Sequence, residues 1–459
     1  MGKPVLAIKS GATAQSQAAA ASHTGAVAGD YAAYLAMCER YGIVNCRTLD
    51  DLVETALAFD GGRLPKGPRI GFVTTSGATV DLLHDYAQSE GAVMPDFGEG
   101  TKARLLPMMQ AGITPKNPLD VGIPSTMQIA ADICANAAAD GEIDMVAWAA
   151  PMPRKTEVWG DVTPLRELLS KTEKPIVAFG RVISQVSEAL VAAQQAAGIP
   201  FLQGIVPTVR ALNALWFHAA RRGRLPATPA PPRASELSPA TLEPALARYG
   251  IVLPKSERIE TAAAAVSAAV RIGFPVALKI QSHDIAHKTE AGGVALDLRD
   301  ADAVESAAHA LVARARAANP RARIQGFLVQ EMVAGIEAIL GARTDPLYGP
   351  LLLVGAGGIL VEIVRDTALR LLPVTLDEVE KMIGELKLAG PLAGFRGQPA
   401  ADRAALAQGA LALARFFLDH HTRLIDIEIN PLMVRANGCG AIAVDVRVVW
   451  ADPVGAQSA

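Results

Sequence analysis

Alternating polar and apolar residues near the end of the chain could hold a cation. Asp426, Glu428 and Asn430 are separated by isoleucines. Because successive side chains of a strand point to opposite faces, the oxygen atoms of these three residues share one face. Fifteen residues after Asn430, Asp445 interrupts the apolar run 443–446, where an ionised group is costly unless it is paired or holds a cation. Such a set suits Mg²⁺ with bound phosphates. The alternative is that Glu428 and Asp445 are ordinary surface or ion-paired carboxylates.

A lone lysine and a glycine pair could contact phosphate. Lys279 follows the apolar run 275–278, so its side chain either extends along apolar surface toward water or directs its ammonium group at a phosphate. The loop that follows it contains Gly292 and Gly293, and without a Cβ their backbone N–H groups can approach an anion closely. Ordinary turns also use paired glycines. The position of Lys279 before this loop favours the phosphate interpretation.

Three polar residues follow at the end of another apolar run. Gln330 and Glu331 close the run that begins at Ile324, and Glu337 comes shortly after them. Strand edges of this kind commonly contact an adenine and a ribose. We therefore expect a nucleotide beside these residues.

A histidine stands in a loop of very small residues. His23 lies within 20–26, a stretch of alanine, serine, threonine and glycine, so bulky neighbours do not block its ring. A neutral imidazole keeps a lone pair near neutral pH and can attack phosphorus. The alternative is a histidine that binds backbone groups of its own loop.

Two glycine-containing segments follow strand-like runs. The first, 74–79, contains Ser76 and Gly77 and leads into a helical pattern; the second, 354–358, contains Gly357 and Gly358. Backbone amides and a helix N-terminus in such places can hold a phosphate. Two such sites together with a histidine suggest a phosphoryl relay.

The chain divides at a proline-rich stretch, 225–236, which cannot pack as a helix or strand. Before it, strand-like runs alternate with amphipathic helices, for example 69–75 with 80–90, as in a parallel doubly wound sheet. We expect only one strand in the first ~60 residues, and one strand cannot form a sheet. After the stretch, Ser238 and Pro239 predict a helix that ends at Gly250.

The residues after the proline-rich stretch form mixed strands with helices on one side. Further strand-like pieces at 351–364 and 424–434 flank a helical region over 376–420. This pattern predicts an α+β domain with two lobes.

Composition excludes several classes of protein. The chain has 459 residues, 19% of them charged, with a net charge of -3 and four scattered cysteines. Both charge signs are interspersed, so there is no basic surface for nucleic acid. Apolar runs are broken well short of the ~20 residues of a membrane span. The start lacks the layout of a signal peptide. We therefore expect a cytoplasmic protein without disulfides.

Taken together, these segments resemble the NDP-forming acyl-CoA synthetases, the family of ADP-forming acetate–CoA ligase and a relative of succinyl-CoA synthetase. The resemblance covers almost the whole chain, and its motifs are specific in combination. They are 3–5, 22–25, 74–79, 117–120, 287–290, 349–358, 395–397 and 428–431 with Asp445.

The resemblance implies a role for each candidate residue. His23 is the histidine that is phosphorylated, and His287 is a second histidine that ferries phosphate between distant sites. The implied nucleotide contacts are Lys279, Gly292, Gly293, Gln330, Glu331 and Glu337. The implied phosphate-binding residues are Ser76, Gly77, Gly357 and Gly358. The residues implied near Mg²⁺ are Glu428, Asn430 and Asp445.

The resemblance also implies an architecture and a reaction. The fold class is α/β, with a flavodoxin-like doubly wound ligase domain followed by a two-lobed α+β ATP-grasp domain. Residues 1–62 would be the C-terminal remnant of one flavodoxin-like subdomain and 63–224 the CoA-ligase subdomain. The linker would occupy 225–236 and the ATP-grasp domain 237–459. The reaction joins a carboxylic acid to CoA at the expense of ATP, through phosphohistidine and acyl phosphate.

The chain departs from the family at its start. Only 22 residues precede His23, whereas in the family a CoA-binding subdomain and a glutamate that orients the phosphohistidine come first. No glycine-rich dinucleotide fingerprint takes their place. The expectation is that a separate CoA-binding subunit supplies this part or that the reading frame is truncated. An oligomer is also expected.

Two other functions would fit part of this sequence pattern. A regulatory or non-catalytic remnant would bind nucleotide without turnover. A ligase that joins a carboxylate to an amine would leave the loop at 22–25 and the flavodoxin-like region unexplained. Protein acetyltransferases with these modules carry a further domain, for which the 14 residues after Asp445 leave no room. The acid, and the choice between adenine and guanine, stay open.

Overall fold

The computed structural model divides the chain into two compact units, 1–226 and 227–459. It describes residues 2–16, 30–109, 113–122, 124, 126–152, 160–223, 236–282, 284, 292–358, 366–394, 397 and 399–451. Across those residues, no helix is both long enough and apolar enough to cross a bilayer.

The first unit begins with a small parallel pair of strands. β1, Leu6–Ala7, pairs with β2, Val44–Asn45, so the expectation of a single strand in this segment was wrong. The helix Tyr31–Tyr41 comes between them, starts at the capping carboxylate of Asp30, and ends at Gly42 with a φ of 66°. The helix Leu49–Asp60 follows and begins with a capping box made by Thr48. A two-residue strand is too short to show a period of two, which is why β2 was missed.

A five-stranded parallel sheet forms the centre of the first unit. Its strands are β3 (Ile70–Thr74), β4 (Leu119–Asp120), β5 (Met145–Ala149), β6 (Ile176–Gly180) and β7 (Phe201–Gln203). They lie in the order β4-β3-β5-β6-β7, and each described pair is parallel.

Helices cover both faces of this sheet. Phe72 and Phe179 belong to the core on one face, and Val73 and Ala178 belong to the core on the other. Because neighbouring residues of one strand are buried on opposite sides, the strands are mainly apolar, as is usual in parallel sheets. The remaining helices of the unit are Gly77–Ser89, Glu99–Leu105, Met127–Ala138, Thr163–Lys171, Glu188–Ala197 and Ile205–Arg221, with a 3₁₀ helix at Leu106–Met108. The doubly wound fold predicted for this part is confirmed.

The second unit contains two antiparallel sheets. The smaller has the order β10-β9-β11-β8. Its strands are β8 (Ser256–Ile259), β9 (Val276–Gln281), β10 (Val294–Leu298) and β11 (Gly326–Glu331). The helices Ala262–Ile272 and Ala301–Ala318 share one apolar core with this sheet.

The larger sheet has the order β14-β13-β12-β15-β16, with β17 also paired to β15. Its strands are β12 (Ile336–Asp345), β13 (Gly349–Ala356), β14 (Thr367–Leu371), β15 (Leu424–Val434), β16 (Ala441–Ala443) and β17 (Val446–Trp450). The helices Leu242–Arg248, Leu376–Glu385, Ala389–Leu392 and Arg403–His420 accompany it. Two sheets with separate cores confirm the predicted two-lobed α+β unit.

Element boundaries in the second unit differ in places from the sequence prediction. The helix expected at Pro239 begins at Leu242, because the Ser238 N–H binds the Thr241 hydroxyl and the Thr241 N–H binds the Ser238 carbonyl in a preceding turn. The expected helical region 376–420 contains three separate helices among its described residues.

Candidate functional site

Two side chains of the small sheet in the second unit reach one carbonyl. Lys279, on β9, donates from Nζ to the Val444 carbonyl at 3.4 Å, and Gln330, on β11, donates from Nε2 to the same oxygen at 3.2 Å. Val444 lies between β16 and β17 of the large sheet. These contacts bring the two sheets of the unit together at the side chains that were predicted to bind a nucleotide.

Gln330 has a spare acceptor at this point. The residue is only 5% exposed, and its Oε1 has no hydrogen-bond partner in the described part of the chain. A buried acceptor without a donor is costly. A ligand that brings an N–H group to Oε1 would remove this cost.

Strand β15 presents its polar side chains away from the core. Ile427 and Ile429 are completely buried, whereas Glu428 and Asn430 between them are partly accessible. This is the alternation that the sequence predicted. It fails at Ile425, which is 49% exposed because the regular pairing of β15 with β17 is broken between Leu424 and Asp426.

Asn430 connects three predicted site segments. Its backbone N–H donates to the Asp445 carbonyl at 3.0 Å, and its side-chain Oδ1 accepts from the Gly358 N–H at 3.2 Å. Asp445 is exposed and lies in the break between β16 and β17. The premise that this aspartate is enclosed in an apolar strand was therefore wrong, and its carboxylate is open to solvent or ligand.

The glycines after β13 approach strand β12 too closely for any side chain. A Cβ on Gly357 would lie 2.5 Å from the Ala338 carbonyl oxygen, and one on Gly358 would overlap the carboxylate of Glu337. Gly358 also has a φ of 75°, which favours glycine. The Gly357 N–H donates to the Glu337 carbonyl at 2.8 Å. Gly358 and the exposed Glu337 are thus neighbours.

The acidic residues of β15 are destabilised in their charged forms. Burial raises the pKa of Glu428, and the nearby Asp426 and Asp445 raise it further, against the opposing charge of Arg447. Burial also raises the pKa of Asp426, opposed by Arg343 and Arg447. A bound cation would relieve this repulsion.

Three of the predicted nucleotide contacts lie outside this cluster. Glu331 follows Gln330 and so points to the opposite face of β11, where its carboxylate accepts from the Lys255 N–H at 3.0 Å. The Gly293 carbonyl accepts from the Ile280 N–H, and Gly292 faces Arg314. None of the contacts described for these residues joins them to Lys279 or Gln330.

The first unit contains the other predicted phosphate-binding residues. Ser76 is the N-cap of the helix Gly77–Ser89, but its hydroxyl makes no capping bond. Beside it, Thr74 is completely buried and its hydroxyl has no partner among the described residues. The Asp120 carboxylate lies 3.6 Å from where a Cβ of Gly77 would be. A phosphate held here would therefore have a carboxylate close by.

Both predicted catalytic histidines, His23 and His287, lie outside the described residues. Their roles stay predictions from the sequence.

Sequence reasoning missed two contributors to the site. The Val444 carbonyl receives two side-chain donors, but a backbone group leaves no residue-type signal. Arg447 is paired directly with Glu428 across β17 and β15. The alternation of Val446, Arg447 and Val448 could have placed its charge on the polar face.

The residues predicted to hold Mg²⁺ do not form a dense acidic cluster. Within the described ranges, no group of three histidine, cysteine, aspartate or glutamate side chains is arranged to hold a metal. Mg²⁺ is usually held by one or two carboxylates together with substrate phosphates and water. Glu428, Asp445 and the amide of Asn430 fit that requirement.

Family models match both units. One that describes an ATP-grasp domain matches residues 232–449, and one that describes a succinyl-CoA ligase like flavodoxin domain matches residues 1–59.

Known enzymes are similar along the chain. An ADP-forming acetate–CoA ligase I of Archaeoglobus fulgidus is 28% identical over 470 residues, which cover 98% of this chain and 67% of that protein. An ADP-forming 4-hydroxybutyrate–CoA ligase of Nitrosopumilus maritimus is 27% identical, over 97% of this chain and 66% of that protein. The chain thus spans about two thirds of the length of these relatives.

A shorter relative has a higher sequence identity over the part that it matches. The beta subunit of an ADP-forming acetate–CoA ligase II of Pyrococcus furiosus is 34% identical over 205 residues, which are 44% of this chain and 87% of that subunit. The chain belongs to the NDP-forming acyl-CoA synthetases, the family of acid–thiol ligases that includes the ADP-forming acetate–CoA ligases.

Proposed function

We propose that this chain activates a carboxylic acid as its CoA thioester and releases ADP and phosphate from ATP, through a phosphohistidine and an acyl phosphate. The observation that carries the proposal is the meeting of Lys279 and Gln330 at the Val444 carbonyl, next to Asn430 and Asp445. A cationic side chain and a buried unpaired acceptor thus lie beside Asn430 and Asp445, where the two sheets of the unit meet. Such a place suits a nucleotide with its phosphates and metal.

The purine is assigned to Gln330 and the phosphates to Lys279. The unpaired Oε1 of Gln330 suits an exocyclic amino group, which adenine and guanine both carry. The ammonium group of Lys279 would neutralise phosphate charge that develops during transfer. The exposed carboxylate of Glu337 is assigned to the ribose hydroxyls.

The polar face of β15 is assigned to the metal. Glu428, Asn430 and Asp445 would hold Mg²⁺, and the repulsion that Glu428 experiences from Asp426 and Asp445 favours a cation at this face. Mg²⁺ bound there supplies charge neutralisation at the nucleotide phosphates. Asn430 itself stays anchored through its bonds to Gly358 and Asp445.

The histidines are assigned to the covalent steps. A ring nitrogen of His287 or His23 attacks the γ-phosphorus of ATP, an N–P bond forms, and ADP leaves with the electrons of the broken P–O bond. The group reaches His23, where a carboxylate oxygen of the acid attacks phosphorus and the imidazole recovers its electron pair. The CoA thiolate then attacks the acyl carbon and phosphate leaves. Splitting one difficult transfer in this way lowers each barrier.

The remaining assignments concern partners and location. We propose that a CoA-binding chain contributes to the reaction; a beta subunit appears by name among the relatives. We place the enzyme in the cytoplasm as an oligomer. The division of the first unit into 1–62 and 63–224, with a linker at 225–236, belongs to the same proposal.

The test is a product analysis. The protein is mixed with ATP, Mg²⁺, CoA and one acid from a panel that starts with acetate and 4-hydroxybutyrate, with and without a separately expressed CoA-binding chain of the family. We expect acyl-CoA with equal amounts of ADP and phosphate. The Lys279→Met variant should lose at least about 100-fold in rate, whereas Lys381→Met, on an exposed helix and ion-paired with Asp377, should keep the wild-type rate.

Two results would contradict the proposal. Release of AMP and pyrophosphate would mean a different chemistry. Tight binding of nucleotide with no ADP released under any of these conditions would identify the chain as a non-catalytic nucleotide-binding protein.

A further inference from the structure

The second unit contains a cavity of about 430 Å³. Its walls come from the segment 249–252, the helix Arg403–His420, and strands β12, β15 and β16. Leu340 and Ile429 are completely buried at its floor, and Leu432 is 3% exposed. The size is within the ~300–1,000 Å³ range of small-molecule sites, and the mainly apolar lining is typical of them.

This cavity is separate from the candidate nucleotide site. Ile429 lines it, whereas Glu428 and Asn430, the neighbours of Ile429 on β15, belong to the nucleotide cluster. Because side chains alternate along a strand, the cavity lies on the opposite face of β15. A ligand here would not be the nucleotide.

A glycine inside a helix forms part of the cavity wall. Gly409 lines the cavity from within the helix Arg403–His420. A Cβ at Gly409 would point at Leu340 and Leu432 at 3.8 Å, without a clash. Glycine in a helix interior is unfavourable relative to alanine, and steric crowding does not require it here. A longer side chain at this position would extend into the cavity.

The rim of the cavity is cationic. Arg415 and Gln408 line it, are exposed, and have no hydrogen-bond or ion-pair partner in the described part of the chain. Arg435 also lines it, and its guanidinium group donates to the Cys439 carbonyl at 3.3 Å. The described carboxylates nearby have other partners: Asp402 accepts from the Ala405 and Gly440 N–H groups, and Asp419 accepts from the Tyr249 hydroxyl.

We propose that this cavity binds an amphipathic monocarboxylate as a second ligand, with its apolar body against Val252, Ala412 and Ile442 and its carboxylate at Arg415 and Arg435. The two arginines complement a single negative charge, and the floor offers no polar side chain to a fully polar ligand. The ligand class is a free acid with a medium-length alkyl or an aryl body.

A cysteine at the rim gives a local measurement. Cys439 lines the cavity and is exposed, whereas Cys38, Cys46 and Cys134 are buried. Octanoate in the cavity should therefore slow alkylation of Cys439 by iodoacetamide. The labelling rate is followed by mass spectrometry of the peptide that contains Cys439, so octanoate bound elsewhere does not confuse the result. We expect slowing of at least about fivefold at saturation, and a saturable dependence on octanoate concentration.

Variants of the lining residues test whether the protection of Cys439 comes from octanoate in the cavity. The double variant Arg415→Gln with Arg435→Gln should weaken octanoate binding about tenfold, as expected for the loss of two exposed charge contacts. It should leave the protection of Cys439 by the uncharged octan-1-ol unchanged. Gly409→Leu fills the space and should abolish protection by both. Arg316 is an exposed arginine on another helix. The control variant Arg316→Gln should change the protection of Cys439 by neither octanoate nor octan-1-ol.

Three results would overturn the proposal. These are no protection of Cys439 by octanoate, protection that persists in Gly409→Leu, and an affinity for octanoate that the double arginine variant leaves unchanged. The exposed arginines can be replaced without disturbing the core, so the test stands even if Gly409→Leu does not fold.

Discussion

At the scale of single residues, Gly358 tests the link between the glycine loop and the nucleotide residues. In Gly358→Ala the new Cβ would overlap the Glu337 carboxylate and displace it. We expect nucleotide affinity to fall about tenfold, and stability to fall by about 1 kcal/mol because alanine disfavours a positive φ. Isothermal titration with ATP and denaturant unfolding measure the two effects.

The matched control is Gly438→Ala. Gly438 has a φ of 79° and nothing within 4 Å of a Cβ, so it carries the backbone strain without the crowding. Equal losses of nucleotide affinity in both variants would show that Glu337 is not involved.

A second residue-scale prediction concerns the buried Glu54. This side chain is 5% exposed and accepts from the Gln203 N–H at 2.9 Å, and burial raises its pKa from 4.5 to about 7. At a pH between these two values, the Glu54 carboxyl group therefore binds a proton more tightly in the folded state than in the unfolded state. Stability is lost as the pH rises through this window, by about 2 kcal/mol after allowance for solvent screening.

Glu54→Gln should remove this dependence, because the amide oxygen can still accept from Gln203 but does not titrate. Unfolding in urea at pH 5 and pH 8 gives the difference. The exposed Glu167→Gln serves as the control. An unchanged pH dependence in Glu54→Gln would contradict the assignment.

Much of the candidate site could be predicted at this scale, and the failures have identifiable reasons. Lys279 and Gln330 were predicted because a polar group at the end of an apolar strand is unusual, and they meet at one carbonyl. The setting of Asp445 was predicted wrongly, because an apolar run of residues does not show where one strand stops and another starts. Glu331 was grouped with Gln330, although adjacent strand residues point to opposite faces.

At the scale of elements, the helix Arg403–His420 contains an avoidable weakness. Gly409→Ala would add a methyl group at ordinary contact distance from Leu340 and Leu432. We expect the free energy of unfolding to rise by about 0.5–1 kcal/mol. As a contrast, Gly355→Ala should destabilise the unit, since its Cβ would lie 2.6 Å from the Asp366 carbonyl. The denaturant concentration at the midpoint of unfolding measures the stability change in both variants. A loss of stability in Gly409→Ala would mean that the helix cannot accept the methyl group.

Elements with a clear period were predictable, and short ones were not. The strand β15, Leu424–Val434, has the bounds that the sequence predicted, because alternation of apolar and polar residues extends over much of its length. β2 has two residues and no period of its own. It forms because parallel pairing with β1 satisfies its backbone, which is a tertiary effect.

At the scale of the whole molecule, the chain consists of two units with separate cores. The residues assigned to the nucleotide all belong to the second unit. We therefore expect residues 227–459, expressed alone, to fold and to bind Mg-ATP with an affinity within about threefold of that of the full chain. Circular dichroism and calorimetric titration measure this. A folded second unit that binds no nucleotide would show that the other unit supplies an essential contact.

The fold class and the division into two halves followed from patterns that persist over many residues, such as alternating strands and helices and a proline-rich break. The course of the covalent steps does not follow from such patterns, because it depends on His23 and His287, which are recognised by sequence motif alone.

Following phosphate from the nucleotide to the protein tests the role of His23 most directly. Incubation with γ-³²P-labelled ATP and Mg²⁺ should label the chain in an acid-labile, base-stable form, as expected for a phosphohistidine. Mapping of the labelled peptides should find phosphate on the peptide that contains His23, both in the wild type and in His309→Ala, which replaces an exposed helix histidine. In His23→Ala any remaining label should lie on the peptide that contains His287. A wild-type chain that is labelled with no phosphate on the His23 peptide would contradict the role of His23 as the phosphoryl carrier.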